Sequence, residues 1–219
     1  MRKTLYLLIV SGVLSAILWR ATGSAQEAAT SATPTATAEI AKPAPDFSLA
    51  GTDGKTHALS SFKGKYVVLE WTNFDCPFVR KHYDSGNMQK LQETYTGKGV
   101  VWLRICSSAD GKQGHYAAKD VDEQVEKEKS RQTAYLVDAD GAVGRSYGAK
   151  TTPHMFVVDP EGALIYAGAI DDKPSTKAED IKTATNYVAA ALDAAMSGKP
   201  VEVKTSTPYG CSVKYGDKK

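Results

Sequence analysis

Residues 65–77 have the sequence KYVVLEWTNFDCP, in which a β-branched and aromatic run leads to a cysteine followed by a proline. The run from Lys65 to Trp71 has the composition of a buried central strand. Pro77 suits the first turn of a helix, where a missing backbone N–H costs nothing. This stretch therefore predicts a strand, a short loop and a helix whose first turn lies beside the thiol of Cys76.

The rest of the chain alternates strand and helix patterns around this unit. The predicted elements are a hairpin turning at Asp53-Gly54, a helix from Pro77 that bends near Ser85-Gly86, a strand at 100–105, a helix at 121–129, a strand at 134–137, a helical turn at 143–147, a hairpin formed by 155–158 and 163–167, and a last helix that carries Ile181, Val188, Leu192 and Ala195 and ends at Gly198. This order predicts an α/β fold of the thioredoxin-like kind, a central mixed sheet flanked by helices, with an N-terminal β-hairpin and a C-terminal tail from about residue 199.

The N-terminal residues predict export. Arg2 and Lys3 precede a short apolar run, and Gly23-Ser24-Ala25 offers small residues for a signal peptidase, so residues 1–25 are predicted to be a signal peptide. An uncleaved anchor is the alternative, and it would be the one link to a membrane. Residues 26–45 are rich in Ala, Thr, Ser and Pro and predict a flexible linker, which leaves 46–219 as the domain. The expected location is the periplasm or cell envelope.

Charge argues against nucleic acid as a partner. The chain carries 27 basic and 25 acidic side chains. Three of the basic residues, Arg2, Lys3 and Arg20, leave with the signal peptide, so the mature chain is close to neutral and has no basic stripe for phosphates. The chain has three cysteines, at 76, 106 and 211, too few for a disulfide-stapled mini-domain but suitable for redox chemistry.

Cys76 is the candidate nucleophile. It stands where a buried strand ends and a helix begins, and the unsatisfied N–H groups and dipole of a helix N-terminus stabilise a thiolate. Arg80, one turn further on, is predicted to add thiolate-stabilising charge, with Lys81 and His82 beside it. A thiolate is the nucleophile in disulfide exchange and in peroxide reduction. The alternative is a buried, inert cysteine or one end of a structural disulfide.

Three segments together resemble the peroxiredoxin-like branch of the redoxin superfamily, related to alkyl hydroperoxide reductase and thiol-specific antioxidant proteins. They are WTNFDCPFVRKHY (71–83), KTTPHMFVVDPEG (150–162) and PYGCSVKY (208–215). The resemblance covers about Pro43 to Tyr215 and implies a thiol-dependent oxidoreductase that uses no organic cofactor and exchanges electrons with a partner thiol protein, with peroxide as a possible substrate. Val79 stands where thioredoxins carry a second cysteine. Leu69 and Asn73 stand where peroxiredoxins carry Pro and Thr or Ser, which leaves peroxide reduction open.

The resemblance also implies roles for residues far from Cys76 in sequence. Pro153 matches the cis-proline of thioredoxin folds, and Thr152 before it would pair with an extended substrate. Apart from the resemblance, the aromatic and apolar residues of 209–215 predict that the tail docks, so that Cys211 could resolve oxidised Cys76 or could simply hold the tail down. Cys106, at the end of the neighbouring strand, is the competing partner for Cys76 or a small apolar residue.

Two other functions remain open on the sequence. Cys76, Cys211, His154 and Met155 could converge as soft ligands for Cu(I), although the four histidines show no metal-ligand spacing and the leading interpretation includes no metal site. A non-catalytic binding module of thioredoxin fold is the other alternative, in which Cys76 would be an unactivated thiol.

Overall fold

The computed structural model describes residues 37–217, and a mixed sheet of seven strands forms the centre of this part of the chain. The strands are β1 (Ser48–Gly51), β2 (Thr56–Ala58), β3 (Val67–Trp71), β4 (Val101–Cys106), β5 (Ala134–Val137), β6 (Thr151–Thr152), β7 (His154–Val158), β8 (Leu164–Gly168) and β9 (Cys211–Ser212). The seven strands lie in the order β2-β1-β5-β4-β3-β7-β8, whereas β6 and β9 form a separate two-stranded sheet.

In residues 37–217, five α-helices and two short 3₁₀ segments connect the strands. The helices are α1 (Pro77–Asp84), α2 (Asn87–Thr96), α3 (Ala118–Lys127), α4 (Ala142–Ser146) and α5 (Tyr187–Met196), and the 3₁₀ segments are Leu59–Phe62 and Ala178–Thr183. Gly86, with φ of 76°, separates α1 from α2 and accounts for the predicted bend. A left-handed backbone at this position costs glycine no Cβ clash.

The middle of the sheet is parallel and buried on both faces. β3 pairs in parallel with β4, and β4 with β5, whereas β7 runs antiparallel to β3. Every residue of β3, β4 and β7 is buried. The mostly apolar sequence of β3 reflects this burial, because a strand covered on both faces has no solvent side. Its one charged residue, Glu70, is buried and lies 3.6 Å from the guanidinium of Arg104.

Alternate residues of these strands enter two different apolar layers. Leu69, Trp71 and Phe156 belong to one layer, and Val68 and Met155 belong to the other, together with Cys76 and the inner faces of α1, α2 and α5. The thioredoxin-like α/β class, the N-terminal hairpin and the order of elements are confirmed.

The last helix begins later than predicted. α5 starts at Tyr187 because Asn186 caps it, with its side-chain oxygen accepting from the N–H of Ala189 at 2.8 Å. Ile181, predicted to lie in this helix, is in the 3₁₀ segment Ala178–Thr183. A side-chain cap of this kind satisfies a helical N–H that would otherwise lack a partner, and it sets the first turn.

The end of the predicted linker is part of the folded domain. Ala38 donates its N–H to the carbonyl of Ser146 at 2.9 Å, and Ala41 donates to Leu164 at 2.8 Å. Ile40 packs against the core, which gives this segment the apolar contact that its composition did not indicate. The predicted signal peptide (1–25) and residues 26–36 of the linker lie outside the described residues. Within residues 37–217, no helix is both long and apolar enough to cross a bilayer.

Candidate active site around Cys76

Cys76 closes the loop after β3 and caps the N-terminus of α1, with Pro77 as the first helical residue. Its backbone N–H donates to the carbonyl of Asn73 at 3.1 Å. The side chain is 1% exposed, and its Sγ donates to the carbonyl oxygen of Thr152 at 2.9 Å. The thiol therefore lies at the helix N-terminus predicted for it, and it points to the short strand β6 instead of to solvent.

Thr152 and Pro153 form the wall opposite this thiol. Their peptide bond is cis, as predicted from the sequence. Thr152 is buried and belongs to β6, which pairs antiparallel with β9 in the tail, so that Thr151 faces Ser212 and Thr152 faces Cys211. The structure thus brings Cys76, Thr152, Pro153 and Cys211 together, and the tail covers the strand edge beside the thiol.

Gly210 makes this close approach of the tail possible. A Cβ at this position would overlap with the carbonyl oxygen of Thr152 and lie 2.8 Å from its carbonyl carbon. Its φ of 134° also lies in the region that side-chain-bearing residues rarely adopt. Only glycine fits here, so the sequence Gly210-Cys211 is matched to the strand that it covers.

Two tyrosines hold the tail on either side of Cys211. The hydroxyl of Tyr209 donates to Oδ1 of Asp171, and its ring packs edge-on against Phe78 at 5.9 Å between centroids. The hydroxyl of Tyr215 donates to the carbonyl of Ala149 at 2.8 Å. The ring of Tyr215 lies against Gly141 and Gly144, where a Cβ would collide with it. The tail is therefore docked from Tyr209 to Tyr215, as its aromatic residues predicted.

Burial, and after it the neighbouring Cys76 thiol, raises the pKa of Cys211 to about 11. Cys211 is thus a neutral thiol at pH 7. The two sulfurs are not bonded, and Cys211 is half-buried. Cys76 and Cys211 are thus two reduced cysteines that both lie beside Thr152 at the edge of β6.

Cys106 lies in a different apolar cluster, with Phe74, Val121 and Tyr135. Its Sγ donates to the carbonyl of Gly114 at 3.3 Å. The expectation that Cys106 competes for Cys76 came from its place at the end of β4. Its side chain instead packs under α3, where it serves as a small apolar residue.

Charges near Cys76 differ from those predicted. The side chain of Arg80 is 62% exposed, and its guanidinium pairs with Asp84 at 3.5 Å along the helix, so the structure does not bring it to the thiol. Lys81 is buried instead, with Nζ donating to the carbonyl of Lys173 at 2.9 Å. Burial lowers the pKa of His82 to about 4, which makes this imidazole neutral at pH 7 and removes it as a source of positive charge.

The four residues suggested as copper ligands do not converge. His154 and Met155 are consecutive in β7, so their side chains enter opposite layers of the sheet. Met155 shares the layer of Cys76, whereas the ring of His154 stacks at 4.4 Å on Phe156 and accepts from the N–H of Lys150. Within residues 37–217, no three His, Cys, Asp or Glu side chains are grouped so that they could hold a metal ion.

Sequence reasoning missed Asp171 and Phe78, which hold Tyr209. Asp171 follows β8 in a loop without a motif, and Phe78 appeared only as part of the segment around Cys76. The one sequence signal for this contact was the aromatic residue beside Gly210 and Cys211, which predicted docking of the tail but not its site.

Comparisons with known proteins identify related sequences. A family model described as Redoxin matches residues 39–185. The thiol-disulfide oxidoreductase ResA of Bacillus cereus is 27% identical over 163 residues, which cover 74% of this chain and 83% of that protein. The ResA of Bacillus thuringiensis is 28% identical over 127 residues, covering 58% of this chain and 68% of that protein.

Two solved structures share the fold. A hypothetical protein of Sinorhizobium meliloti has a TM-score of 0.69 at 26% identity, covering 85% of this chain and 100% of that one. An uncharacterized conserved protein of Geobacillus kaustophilus has a TM-score of 0.70 at 26% identity, covering 83% of this chain and 94% of that one. Neither description states an activity.

Proposed function

The chain belongs to the Redoxin family, and on that premise we propose that it is a thiol-disulfide oxidoreductase in which Cys76 attacks and Cys211 resolves. The observation that carries the proposal is the pairing of Cys211 with Thr152, whose carbonyl accepts the Cys76 thiol at 2.9 Å. Two thiols that lie close together at the N-terminus of a helix can form a disulfide with each other and break it again. The name of the Bacillus relatives, thiol-disulfide oxidoreductase, supports the same chemistry.

The exchange proceeds in two balanced steps. After the tail opens, Cys76 loses its proton to solvent and its thiolate attacks one sulfur of a partner disulfide, whose other sulfur leaves as a thiolate and takes up a proton. Cys211, once deprotonated, then attacks the Cys76 sulfur and releases the second partner thiol. The partner gains two electrons and the protein retains a Cys76–Cys211 disulfide, which a partner dithiol protein would reduce by the reverse steps.

Peroxide reduction is less well supported at this site. When a Cys76 thiolate attacks one oxygen of a peroxide, the other oxygen leaves as hydroxide or alkoxide and would need hydrogen-bond donors near the sulfur. The side-chain hydrogen bond of Cys76 runs instead to a carbonyl acceptor, Thr152. Peroxide therefore serves as the comparison in the test, while the disulfide is the proposed substrate.

The test uses the reduced full-length protein with one equivalent of glutathione disulfide, followed by acid quenching and peptide mapping without reduction. The parent should yield a disulfide between Cys76 and Cys211. The Cys211→Ser variant should stop with glutathione on Cys76, and Cys106→Ser should behave as the parent. A Cys76–Cys106 disulfide, or an unreacted Cys76, would contradict the assignment. A parallel sample with one equivalent of hydrogen peroxide shows which oxidant reacts faster.

We also propose that the protein acts in the cell envelope after cleavage of residues 1–25, with residues 26–36 as a linker. The support is the basic, apolar and small-residue order of the first 25 residues. Intact mass of protein from the envelope fraction should correspond to a chain beginning near Gln26. A mass that includes Met1 would mean a retained anchor or a cytosolic protein.

A further inference from the structure

Tyr209, two residues before Cys211, fills a pocket beside α1. Phe78 forms one wall, with its ring edge-on at 5.9 Å between centroids, and the Nζ of Lys81 lies 5.7 Å from the centre of the tyrosine ring. The floor is Asp171, which is 2% exposed and accepts the hydrogen bond of the Tyr209 hydroxyl. One aromatic wall, a buried ammonium group and a carboxylate at the end form a pocket for a phenol.

The carboxylate of Asp171 is fixed before the phenol arrives. Its Oδ1 accepts from the N–H of Lys173 at 2.9 Å, while its Oδ2 lies 3.8 Å from Nζ of Lys81 and 3.9 Å from Nε2 of His82. The Lys81 side chain is fully buried and donates to a backbone carbonyl, which limits its movement. The phenol of Tyr209 therefore meets an acceptor that the surrounding residues have already oriented.

Burial and the hydrogen bond to Asp171 both raise the pKa of Tyr209, which keeps the phenol protonated and able to donate. A phenylalanine in the same pocket would pack against Phe78 but offer no donor to the buried carboxylate. Oδ1 of Asp171 would then keep only the N–H of Lys173, and a buried acceptor that loses one of its hydrogen bonds without access to water carries a cost. A phenol is therefore expected to bind this pocket more tightly than a phenyl ring.

Three consecutive tail residues occupy three adjoining positions. Tyr209 fills the pocket, Gly210 passes against the carbonyl of Thr152, and Cys211 lies opposite Thr152 next to Cys76. Their strand is added antiparallel to Thr151–Thr152, which is how extended peptides dock on a sheet edge. The spacing between pocket and thiol fixes which partner residue can enter the pocket while a partner cysteine reaches Cys76.

We propose that the Tyr209 pocket and the Thr151–Thr152 edge form the docking site for a partner protein segment of the form Tyr-Gly-Cys, whose cysteine is the one exchanged, and that the tail is the intramolecular occupant of this site. The inference rests on the proposed function, and adds to it the chemical class of the partner. The tail's own sequence, seated with the Tyr209 hydroxyl bonded to Asp171, is the template for that class. Partner and tail cannot occupy the edge together, so docking begins with release of the tail.

The test measures recognition with synthetic peptides of sequence Thr-Pro-X-Gly-Cys-Ser-Val, blocked at both ends, whose cysteine is disulfide-linked to thionitrobenzoate. X is Tyr, Phe or Ala. The protein is the full-length Tyr209→Ala/Gly210→Ala/Cys211→Ser variant, in which the pocket is vacated and the resolving thiol removed. Attack by Cys76 forms a mixed disulfide with the peptide and releases one equivalent of coloured thionitrobenzoate, so each reaction is a balanced single turnover. A small symmetrical disulfide of the same leaving group measures the reactivity of Cys76 without a peptide.

The Tyr peptide should react about tenfold or more faster than the Phe peptide, and the Ala peptide more slowly still. Equal rates for the three peptides would overturn the docking site while leaving the exchange function standing. No release from any peptide or from the small disulfide would instead overturn the assignment of Cys76. The Cys211→Ser single variant guards against misfolding of the triple variant. It should react more slowly with all three peptides but show the same order, and a different order would also overturn the proposal.

Discussion

Replacing Gly210 by alanine should open the closed site around Cys76. The added methyl group would overlap with the carbonyl oxygen of Thr152 and lie 2.8 Å from its carbon. These are backbone atoms of a buried strand followed by Pro153, so they cannot swing aside as the end of a flexible side chain could. The φ of 134° adds strain for alanine. The tail is half-buried at Cys211 and exposed at Ser212, whereas Thr152 is buried, so the tail is the element that has to move.

The size of the effect follows from that strain. A residue held in a sparsely populated backbone region costs about 1–3 kcal/mol. If about 2 kcal/mol of this destabilises the docked tail, the population of the open form rises about 30-fold. Because Cys76 is 1% exposed when the tail is docked, its alkylation should depend on opening and accelerate by the same factor.

The assay is alkylation by iodoacetamide under native conditions, with peptides that contain Cys76 and Cys106 quantified from the same sample. Cys106 is 5% exposed and lies in another cluster, so its rate reports opening elsewhere in the domain. Gly198→Ala is the matched control, since Gly198 also has a positive φ, of 72°, but has nothing within 4 Å of the added methyl. Gly210→Ala should accelerate the alkylation of Cys76 but not that of Cys106, and Gly198→Ala should accelerate neither. Unchanged Cys76 kinetics would refute the reasoning, and equal acceleration of both cysteines would mean general loss of stability.

Three further predictions address charge. Burial is the largest cause of the raised pKa of Cys211 and persists when Cys76 is in a mixed disulfide, so the rate of resolution should still rise as the pH passes the ordinary cysteine value of about 8.5, and a rate that ignores pH in quenched-flow mapping would contradict this. Arg104→Leu should lower the free energy of urea unfolding by about 3–5 kcal/mol, because it leaves the fully buried Glu70 without its cation. Arg80→Leu, which removes an exposed ion pair, should lower it by less than about 1 kcal/mol, and equal losses would contradict the prediction. Burial lowers the pKa of His154 to about 4, below the ordinary histidine value of about 6.5, so the unfolded chain binds this proton at a higher pH than the folded chain does. The free energy of unfolding should therefore be highest above about pH 6.5 and fall as the pH drops through 4. His154→Gln should reduce this pH dependence in unfolding titrations, and an unaltered slope would contradict the prediction.

Local physics made the frame of the site predictable from the sequence. The apolar run of β3 required burial on both faces, and Pro77 required a helix start, so the position of Cys76 followed from about a dozen residues. The start of α5 did not follow, because the Asn186 cap competed with an apolar spacing that reached back to Ile181. When a capping residue and an apolar spacing predict different helix starts, tertiary packing decides between them, and the spacing of apolar residues does not reveal that packing.

The side-chain directions at the site were less predictable. Arg80 could have faced the thiol one turn before it or Asp84 one turn after it, and both are helical neighbours. Lys81 was grouped with Arg80 as positive charge near the thiol, whereas it is buried beside the carboxylate of Asp171, 90 positions further along the chain. The sequence did allow one prediction, that His154 and Met155 lie on opposite faces of the sheet, because consecutive strand residues point to opposite faces.

The separation of the two thiols determines the order of events that the proposed exchange requires. In a Cys-x-x-Cys motif both sulfurs belong to one helix, and the second would stand at the position of Val79, which is fully buried in the apolar layer under α1. Here the second sulfur belongs to a strand that covers the edge on which a partner would dock. Docking therefore moves Cys211 away from Cys76, and the mixed disulfide is protected from resolution for as long as the partner strand stays in place. Resolution follows when the partner strand leaves the edge and the tail returns, so the affinity of the partner for the Tyr209 pocket sets the lifetime of the mixed disulfide.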